Sequence, residues 1–245
     1  MTRRRWIADE VAGDRAFLLG QNADHLARVL RARVGQQFEI ATPSGVRLGE
    51  IVKIAHDRVE FATSTLPVQE SRQSSAVIDL YLAVFKFDRF EWAIEKCTEL
   101  GVAAITPVLA ARTDAHLASA AGKRAERWRR IAHEAAQQSR RHEAPAIHEP
   151  RKLQEVLSEA RGKRIVLSEN ESEQRFADLL DRSAEFSLAI GPEGGWTDSE
   201  LSSFFQNGWQ SASLGATILR AETAAIAATA IAVNLVSRTR HLADD

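Results

Sequence analysis

The sequence predicts an α/β fold with a mostly parallel sheet, preceded by a small β-rich domain. After residue 77, apolar strand-like runs alternate with amphipathic helical segments, a pattern typical of parallel sheets covered by helices. Before that point, short strand-like runs are separated by turn residues. A polar stretch containing Pro67 lies between the two regions. We therefore predict a first domain over residues 1–70, a linker over 71–76 and a second domain over 77–245.

Composition restricts the class of protein. The chain has 245 residues, is 44% hydrophobic and carries a formal net charge of −1, values that fit a soluble globular protein. Its single cysteine, Cys97, excludes a disulfide framework and a Cys-rich metal site, so we expect no metal. The N-terminus has no secretory signal, and the longest apolar run, 224–236, is too short to span a membrane. We therefore expect a cytoplasmic protein.

The first domain is predicted to be a small β-barrel with one helix. Several short strands within about seventy residues are typical of such barrels. The helix is expected over 23–33, with Asn22 or Asp24 as its N-cap. A hairpin turn is expected at 42–45. The predicted strands cover residues 17–20, 37–41, 46–54 and 59–62.

Positive charge is concentrated in two places. In the predicted helix, His25, Arg28 and Arg31 are spaced to share one face, with Leu26, Val29 and Leu30 packing on the barrel. Residues 123–141 contain seven Lys or Arg against two acids, too few to pair the bases. Both features are compatible with contacts to RNA phosphates. An ordinary solvated helix face is the alternative at each place.

The second domain should consist of repeated βα units. Near-continuous apolar runs predict strands buried on both faces of the sheet. The first helix, over 88–100, should end at Gly101. The remaining helices are expected over 118–140, 152–159, 172–180, 198–206 and from about 221, and the strands over 77–85, 102–109, 164–168, 186–190 and 211–214. The last helix is so rich in alanine that we expect it to be buried or packed at an interface.

Two glycine-bearing corners follow the last two strands, at 191–195 and at Gly215. Thr197 and Glu200 form the pattern of a capping box, so a helix should begin just after the first corner. Neighbouring strand-loop-helix corners place a ligand crevice at the carboxyl ends of the strands. The first corner lacks the lysine of a P-loop and the GxGxxG spacing of a dinucleotide site. We therefore expect a ligand held through backbone groups and apolar contacts, although two ordinary turns are the alternative.

Five ordered blocks resemble one known family. They are HLARVLR at 25–31, EKCTELGV at 95–102, EAAQQSRR at 134–141, IGPEGG at 190–195 and LGATILRAETAA at 214–225. This set resembles the bacterial 16S ribosomal RNA (uracil-N3) methyltransferases, the RsmE family of the SPOUT superfamily. The resemblance covers essentially the whole chain.

The resemblance implies a specific architecture and activity. The expected fold is a PUA-like β-barrel for RNA contact, followed by a SPOUT methyltransferase domain whose C-terminal helix passes through preceding loops to form a deep trefoil knot. The expected activity is transfer of a methyl group from S-adenosyl-L-methionine to N3 of a specific uridine. The expected partners are 16S rRNA in the 30S ribosomal subunit and a second copy of the chain in a homodimer.

The resemblance also implies site residues. RNA contacts are expected at Arg3, Arg4, Arg5, His25, Arg28, Arg31, Arg140 and Arg141. Cofactor contacts are expected at Leu167, Ser168, Glu169, Ile190, Gly191, Pro192, Glu193, Gly194, Gly195, Leu214, Gly215, Ile218 and Leu219.

The catalytic residues are expected to be Arg220, which would stabilise a uracil anion, and Glu193 as a candidate proton acceptor. Glu222 is a second candidate acceptor, although charge complementation at the helix N-terminus explains it better. Two other functions compete with this one. They are methylation of transfer RNA at a ribose 2′-oxygen by a SPOUT enzyme, and RNA binding by a non-catalytic ribosome assembly factor.

Overall fold

The computed structural model describes residues 5–65, 77–181 and 185–241, in two compact units. The first unit comprises residues 1–71 and 133–144, and the second comprises 72–132 and 145–245. The predicted linker at 71–76 lies outside the described residues. No helix in the described ranges is long and apolar enough to cross a membrane.

Short strands of the first unit pair in one mixed sheet, with β1 parallel to β4 and the other pairs antiparallel. Among the described residues the order is β1-β4-β5-β6-β3-β2. The two ends of this path are joined by Ala8 and Asp9, whose amides donate to the carbonyls of Ala41 and Phe17. The strands are β1 (Trp6–Ile7), β2 (Glu10–Ala12), β3 (Arg15–Leu19), β4 (Gln37–Thr42), β5 (Gly45–Ile54) and β6 (Arg58–Thr65).

The helical segment of the first unit differs from the prediction. Helix α1 (Gly20–Asp24) has Leu19 at its N-cap, so the cap predicted at Asn22 or Asp24 is wrong. A π-helical turn follows at His25–Val29, and Arg31 has a φ of +52°. The wider π turn changes which residues share a face. As a result Val29 and Leu30 are 64% and 50% exposed, and the expectation that they pack on the sheet is wrong.

A partly buried ion-pair cluster links residues of the first unit that are distant in sequence. Arg5 is only 8% exposed and pairs with Glu39, and its Nη1 also donates to the carbonyl of Arg140. The Arg140 guanidinium reaches the same carboxylate at 2.6 Å. Burial opposes ionisation of Glu39, but hydrogen bonds and charges from Arg140 and Arg5 lower the pKa of this carboxyl. Arg5 is therefore used inside the unit, whereas Arg140 pairs with Glu39 through an exposed side chain.

The second unit is built on a parallel sheet, as predicted. Its order in the described residues is β10-β8-β7-β12-β11-β13, and β9 also pairs with β8. All of these pairs are parallel. The strands are β7 (Val77–Ala83), β8 (Ala104–Leu109), β9 (Ala146–Ile147), β10 (Arg151–Lys152), β11 (Lys163–Leu167), β12 (Glu185–Ile190) and β13 (Gln210–Ala212).

Helices cover both faces of this sheet because its strands are apolar on both sides. Alternate residues of β7 enter different cores: Leu80 and Leu82 lie in one core, and Tyr81 and Ala83 in the other. The helices are α2 (Phe87–Leu100), α3 (Ala115–Ala120), α4 (Ala125–Gln138), α5 (Leu153–Val156), α6 (Phe176–Leu179), α7 (Asp198–Gln206) and α8 (Ala221–His241).

Helix α8 packs against α2 with a stripe of small residues, as its alanine content predicted. Ala221, Ala225, Ala228 and Ala232 are buried at spacings of three or four residues. At the end of α2, Gly101 has a φ of +107° and its amide bonds the carbonyl of Cys97, which confirms the predicted C-cap. Small residues at this contact let two helix backbones approach closely.

Other element boundaries differ from the predictions. The single helix expected over 118–140 is three pieces, with a 3₁₀ turn at Ala121–Arg124 between α3 and α4. The helices expected at 152–159 and 172–180 are shorter. The two-residue strands β1, β9 and β10 were not predicted, because so short a segment carries no measurable periodicity.

The arginines of the basic run 123–141 have more carboxylate partners than the two acids within the run could supply. Arg124 and Arg127 both reach Glu91 on α2, and Arg129 reaches Glu149. These acids lie outside the run in sequence, so the acids within the run do not show how many of its bases are paired. The expectation that its bases lack partners is wrong for these arginines and for Arg140.

We predict that Gly49→Ala destabilises the first unit by about 1–3 kcal/mol, the usual cost of overpacking a core. A Cβ at this buried position would lie 2.6 Å from Cγ1 of Ile40 and 3.2 Å from Phe61. Thermal unfolding of the variant measures the loss. Gly122→Ala is the control, because a Cβ there meets nothing within 4 Å. Equal melting temperatures for the two variants would contradict the prediction.

Candidate functional site

The candidate site is a cavity at the carboxyl ends of three neighbouring strands of the second unit. Strands β12, β11 and β13 are parallel, so the loops that follow them meet at one edge of the sheet. The cavity has a volume of about 280 Å³. It is lined by residues 167–169, 190–193, 195, 212–221 and 224.

The structure brings together nearly all of the residues predicted to contact a cofactor. Twelve of the thirteen line this cavity, although they come from three segments of the chain. Gly194 is the exception. Six further lining residues were missed, since nothing in their residue types indicates a ligand: Ala212, Ser213, Ala216, Thr217, Ala221 and Ala224.

The glycine corner after β12 is a tight turn, and the side chain of Glu169 lies beside it. The amide of Gly195 donates to the carbonyl of Pro192 at 2.9 Å, and Gly195 has a φ of +68°. A Cβ on Gly195 would overlap the carboxylate of Glu169. Thr197 and Glu200 form the predicted capping box at the start of α7, with bonds of 3.2 Å and 2.8 Å. The left-handed conformation of Gly195 therefore favours glycine, and the Glu169 carboxylate lies in the space beside it.

Both predicted catalytic residues lie on the cavity wall. Arg220 is exposed, and its carbonyl accepts the amide of Ala224 at 2.8 Å, which places the residue at the N-terminus of α8. Glu193 is exposed as well, and one carboxylate oxygen accepts the backbone amide of Lys86 at 3.5 Å. A guanidinium and a carboxylate thus border the same space.

Glu222 has a different setting from Glu193. It is 2% exposed, pairs with Arg89 of α2, and is not part of the cavity wall described above. Its second oxygen, Oε2, is buried without a hydrogen-bond partner among the described residues. Its place in the first turn of α8 agrees with charge complementation at the helix N-terminus, the explanation favoured from the sequence.

Sequence reasoning missed two arginines beside the cavity. Nη1 of Arg112 donates to the carbonyl of Gly194 at 2.5 Å and to that of Trp196 at 3.3 Å. Nη1 of Arg175 lies 3.9 Å from the position that a Cβ on Gly215 would take. Each arginine follows a different strand or loop, so no local motif connects it with the glycine corners.

The residues predicted to contact RNA lie in the first unit, where described. Arg3 and Arg4 are outside the described residues. His25 is half-buried, with its ring 5.9 Å from that of Trp6. Arg28 and Arg31 are exposed, and Arg28 pairs with Asp24 at 2.7 Å. Arg28 and Arg31 are therefore the exposed members of this predicted set in the helical segment, and His25 is partly covered.

Arg141 is half-buried, and burial lowers the pKa of its guanidinium.

The described part of the chain contains no group of three or more His, Cys, Asp or Glu placed to hold a metal ion.

Comparison with known proteins defines the class and then the family. A family model described as an RNA methyltransferase domain matches residues 72–233, which include the whole cavity wall. The ribosomal RNA small subunit methyltransferase E of Synechocystis sp. is 34% identical over 82% of this chain and 66% of its own length. The Mycobacterium bovis protein of the same name is 32% identical over 94% of this chain and 90% of its own length.

A solved structure agrees with these relatives. The ribosomal RNA small subunit methyltransferase E of Neisseria gonorrhoeae, bound to S-adenosyl methionine, superposes with a TM-score of 0.84 at 28% identity, covering 95% of this chain and 98% of its own. The chain belongs to the ribosomal RNA small subunit methyltransferase E family, which confirms the resemblance found in the sequence.

We predict that Gly195→Ala costs about 1–3 kcal/mol of stability, the usual penalty for a non-glycine residue in a left-handed conformation. Gly208→Ala is a matched control, because Gly208 has a φ of +75° and open space around it. The Glu169 carboxylate is the far end of a flexible side chain and should move aside, so thermal unfolding should give similar losses for both variants. A loss more than ~1 kcal/mol larger for Gly195→Ala would show that Glu169 is held in place.

Proposed function

We propose that this protein transfers the methyl group of S-adenosyl-L-methionine to N3 of a specific uridine in 16S ribosomal RNA. The observation that carries the proposal is the cavity, where the three segments expected to contact the cofactor converge. The solved structure of the Neisseria gonorrhoeae relative, bound to S-adenosyl methionine, supports it with a TM-score of 0.84. The names of the relatives support a ribosomal RNA substrate from the small subunit.

The chemistry of the cavity fits this cofactor. Its volume of about 280 Å³ is near the lower end of small-molecule sites, roughly 300–1,000 Å³. Leu167, Leu214 and Leu219 offer aliphatic surface for an adenine ring, and the backbone at Ile190 and the glycine corners offers hydrogen-bonding groups. Glu169 and Glu193 place negative charge beside a ligand that carries a sulfonium and an ammonium. When bound, S-adenosylmethionine supplies an electrophilic methyl group.

Arg220 is proposed to stabilise the uracil anion. Loss of the N3 proton puts negative charge on the uracil carbonyl oxygens, and the guanidinium can donate two hydrogen bonds to such oxygens. Its position on the cavity wall at the start of α8 supports this role.

Glu193 is proposed to accept the N3 proton. A carboxylate is a weaker base than the uracil anion, so the transfer depends on the stabilisation that Arg220 gives to the anion. Glu193 lies on the same wall and its carboxylate has a single long bond, to the Lys86 amide, among the described residues. It is therefore available to a substrate.

The finer architecture is also a proposal. We propose that the first unit is a PUA-like barrel that contacts RNA, that α8 passes through preceding loops in a deep trefoil knot, and that two chains form a homodimer. The return of the chain from the edge strand β13 to a helix packed on α2 supports the knot. Since bacterial ribosomal subunits are assembled in the cytoplasm, we propose that location.

A binding and complementation experiment tests the function. We expect S-adenosylmethionine to bind the wild-type protein in calorimetry. In a strain lacking this gene, the wild-type gene should restore N3 methylation of one uridine of 16S RNA, mapped by mass spectrometry. Arg220→Ala should lower methylation by at least about 100-fold, the scale of losing one oxyanion donor.

Arg220→Lys is the conservative control. It should retain part of the activity, because lysine keeps the positive charge but lacks the two parallel N–H donors of the guanidinium. Binding of the cofactor without methylation of any RNA would favour the non-catalytic assembly factor. Methylation of transfer RNA alone would favour the ribose 2′-O enzyme.

Contact between the first unit and RNA is predicted to involve Arg28 and Arg31, the exposed arginines of its helical segment. The double variant Arg28→Ala/Arg31→Ala should weaken RNA binding and reduce the slope of log K against log salt by about 1 for each lost phosphate contact. Filter binding at several salt concentrations measures this slope. Arg15→Ala, which removes an arginine paired with Glu60, is the control. An unchanged slope in the double variant would exclude these contacts.

A further inference from the structure

The loop that follows β8 contacts the glycine corner although β8 and β12 are not adjacent strands. In the sheet order, β7 lies between them. Residues 110–113 of this loop bond to the loop after β7 and to the loop after β12. The feature is independent of the glycine motifs, and the proposed mechanism assigns it no role.

Arg112 makes the most direct of these contacts. Nη1 donates to two carbonyls of the corner, those of Gly194 at 2.5 Å and Trp196 at 3.3 Å. Hydrogen bonds from a charged donor are stronger than neutral ones. The two acceptors flank Gly195, the residue with the left-handed conformation. The guanidinium therefore fixes the peptide groups on both sides of the tightest point of the turn.

The side chain of Arg112 packs beside Gly194, the predicted cofactor contact that does not line the cavity. A Cβ on Gly194 would lie 3.3 Å from Cδ and 3.6 Å from Cβ of Arg112. Gly194 is not among the glycines with positive φ, so its backbone does not require glycine. The space beside Gly194 is thus occupied by the stem of Arg112.

Neighbouring residues of the loop strengthen the connection. The Ala111 amide donates to Glu200 at 2.7 Å, and Glu200 is the buried capping residue of α7. The hydroxyl of Thr113 donates to the carbonyl of Val84 at 3.1 Å, in the loop after β7. The residues on both sides of Arg112 are therefore anchored, which places this exposed side chain beside the corner.

We propose that Arg112 is a positioning residue for the cofactor pocket: it holds the backbone of 191–196 in the conformation that receives the ligand. The proposal rests on the proposed function in naming S-adenosylmethionine as that ligand. The role is indirect, since Arg112 acts through the carbonyls of Gly194 and Trp196 and does not line the cavity. Preorganising such a loop reduces the cost of ordering it upon binding.

The test compares Arg112→Ala and Arg112→Lys with Arg164→Ala. Arg164 is a matched control because its Nη1 also donates to a backbone carbonyl, that of Asn207 at 2.9 Å, near the amino end of β11 and away from the cavity. Three quantities are measured in full-length protein: hydrogen exchange of the 191–197 segment without ligand, the Kd of S-adenosylmethionine by calorimetry, and the melting temperature.

Arg112→Ala should speed exchange of the 191–197 segment and weaken S-adenosylmethionine binding about tenfold, the scale of one charge-assisted hydrogen bond. In turnover assays KM for the cofactor should rise while kcat at saturation changes less than about threefold. Arg112→Lys should recover part of the affinity. Arg164→Ala should leave both exchange and affinity at wild-type values, even if its melting temperature falls as far as that of Arg112→Ala.

Unchanged exchange in Arg112→Ala would overturn the proposal, as would an equal effect in Arg164→Ala. A wild-type protein that does not bind S-adenosylmethionine would overturn the proposed function. In that case the exchange comparison, which needs no ligand, still decides whether Arg112 orders the corner.

Discussion

Parallel pairing of β12, β11 and β13 is the constraint on which the candidate site depends. Parallel strands place their carboxyl ends at one edge, so three loops from distant parts of the second unit must meet there. This pairing requires strands that are apolar on both faces and helices that cover them. The cavity is therefore a consequence of the sheet order, and its wall consists largely of backbone and aliphatic groups.

Backbone walls keep their shape only if the loops that form them are held in place. At the corner 191–195, the carboxylate of Glu169 lies beside Gly195, and Arg112 packs beside Gly194 and donates to its carbonyl. At its far end, the capping box of α7 ties the corner to a regular helix. The left-handed conformation of Gly195 is thus set within a corner that neighbouring side chains pack around.

Charged residues have different roles in the two units. In the first unit, Arg5 and Arg140 share Glu39 in a partly buried cluster, so two of the basic residues predicted to contact RNA pair with one carboxylate. In the second unit, Arg220 on the cavity wall remains exposed. Since burying an unpaired charge costs several kcal/mol, arginines near a core acquire carboxylate partners, and the exposed arginines are the ones available to a polyanion.

The sequence by itself determined the alternation of strands and helices, the capping box at Thr197 and Glu200, the C-cap at Gly101 and the two glycine corners. These features depend on periodicity and on backbone preferences within a few residues. The family followed from ordered blocks. Only the tertiary structure decided that Arg112 supports the corner, that Arg89 pairs with Glu222, and that Glu91 and Glu39 pair with the basic run. A long charged side chain bonds whichever group the folded chain brings within reach, and local sequence does not encode that proximity.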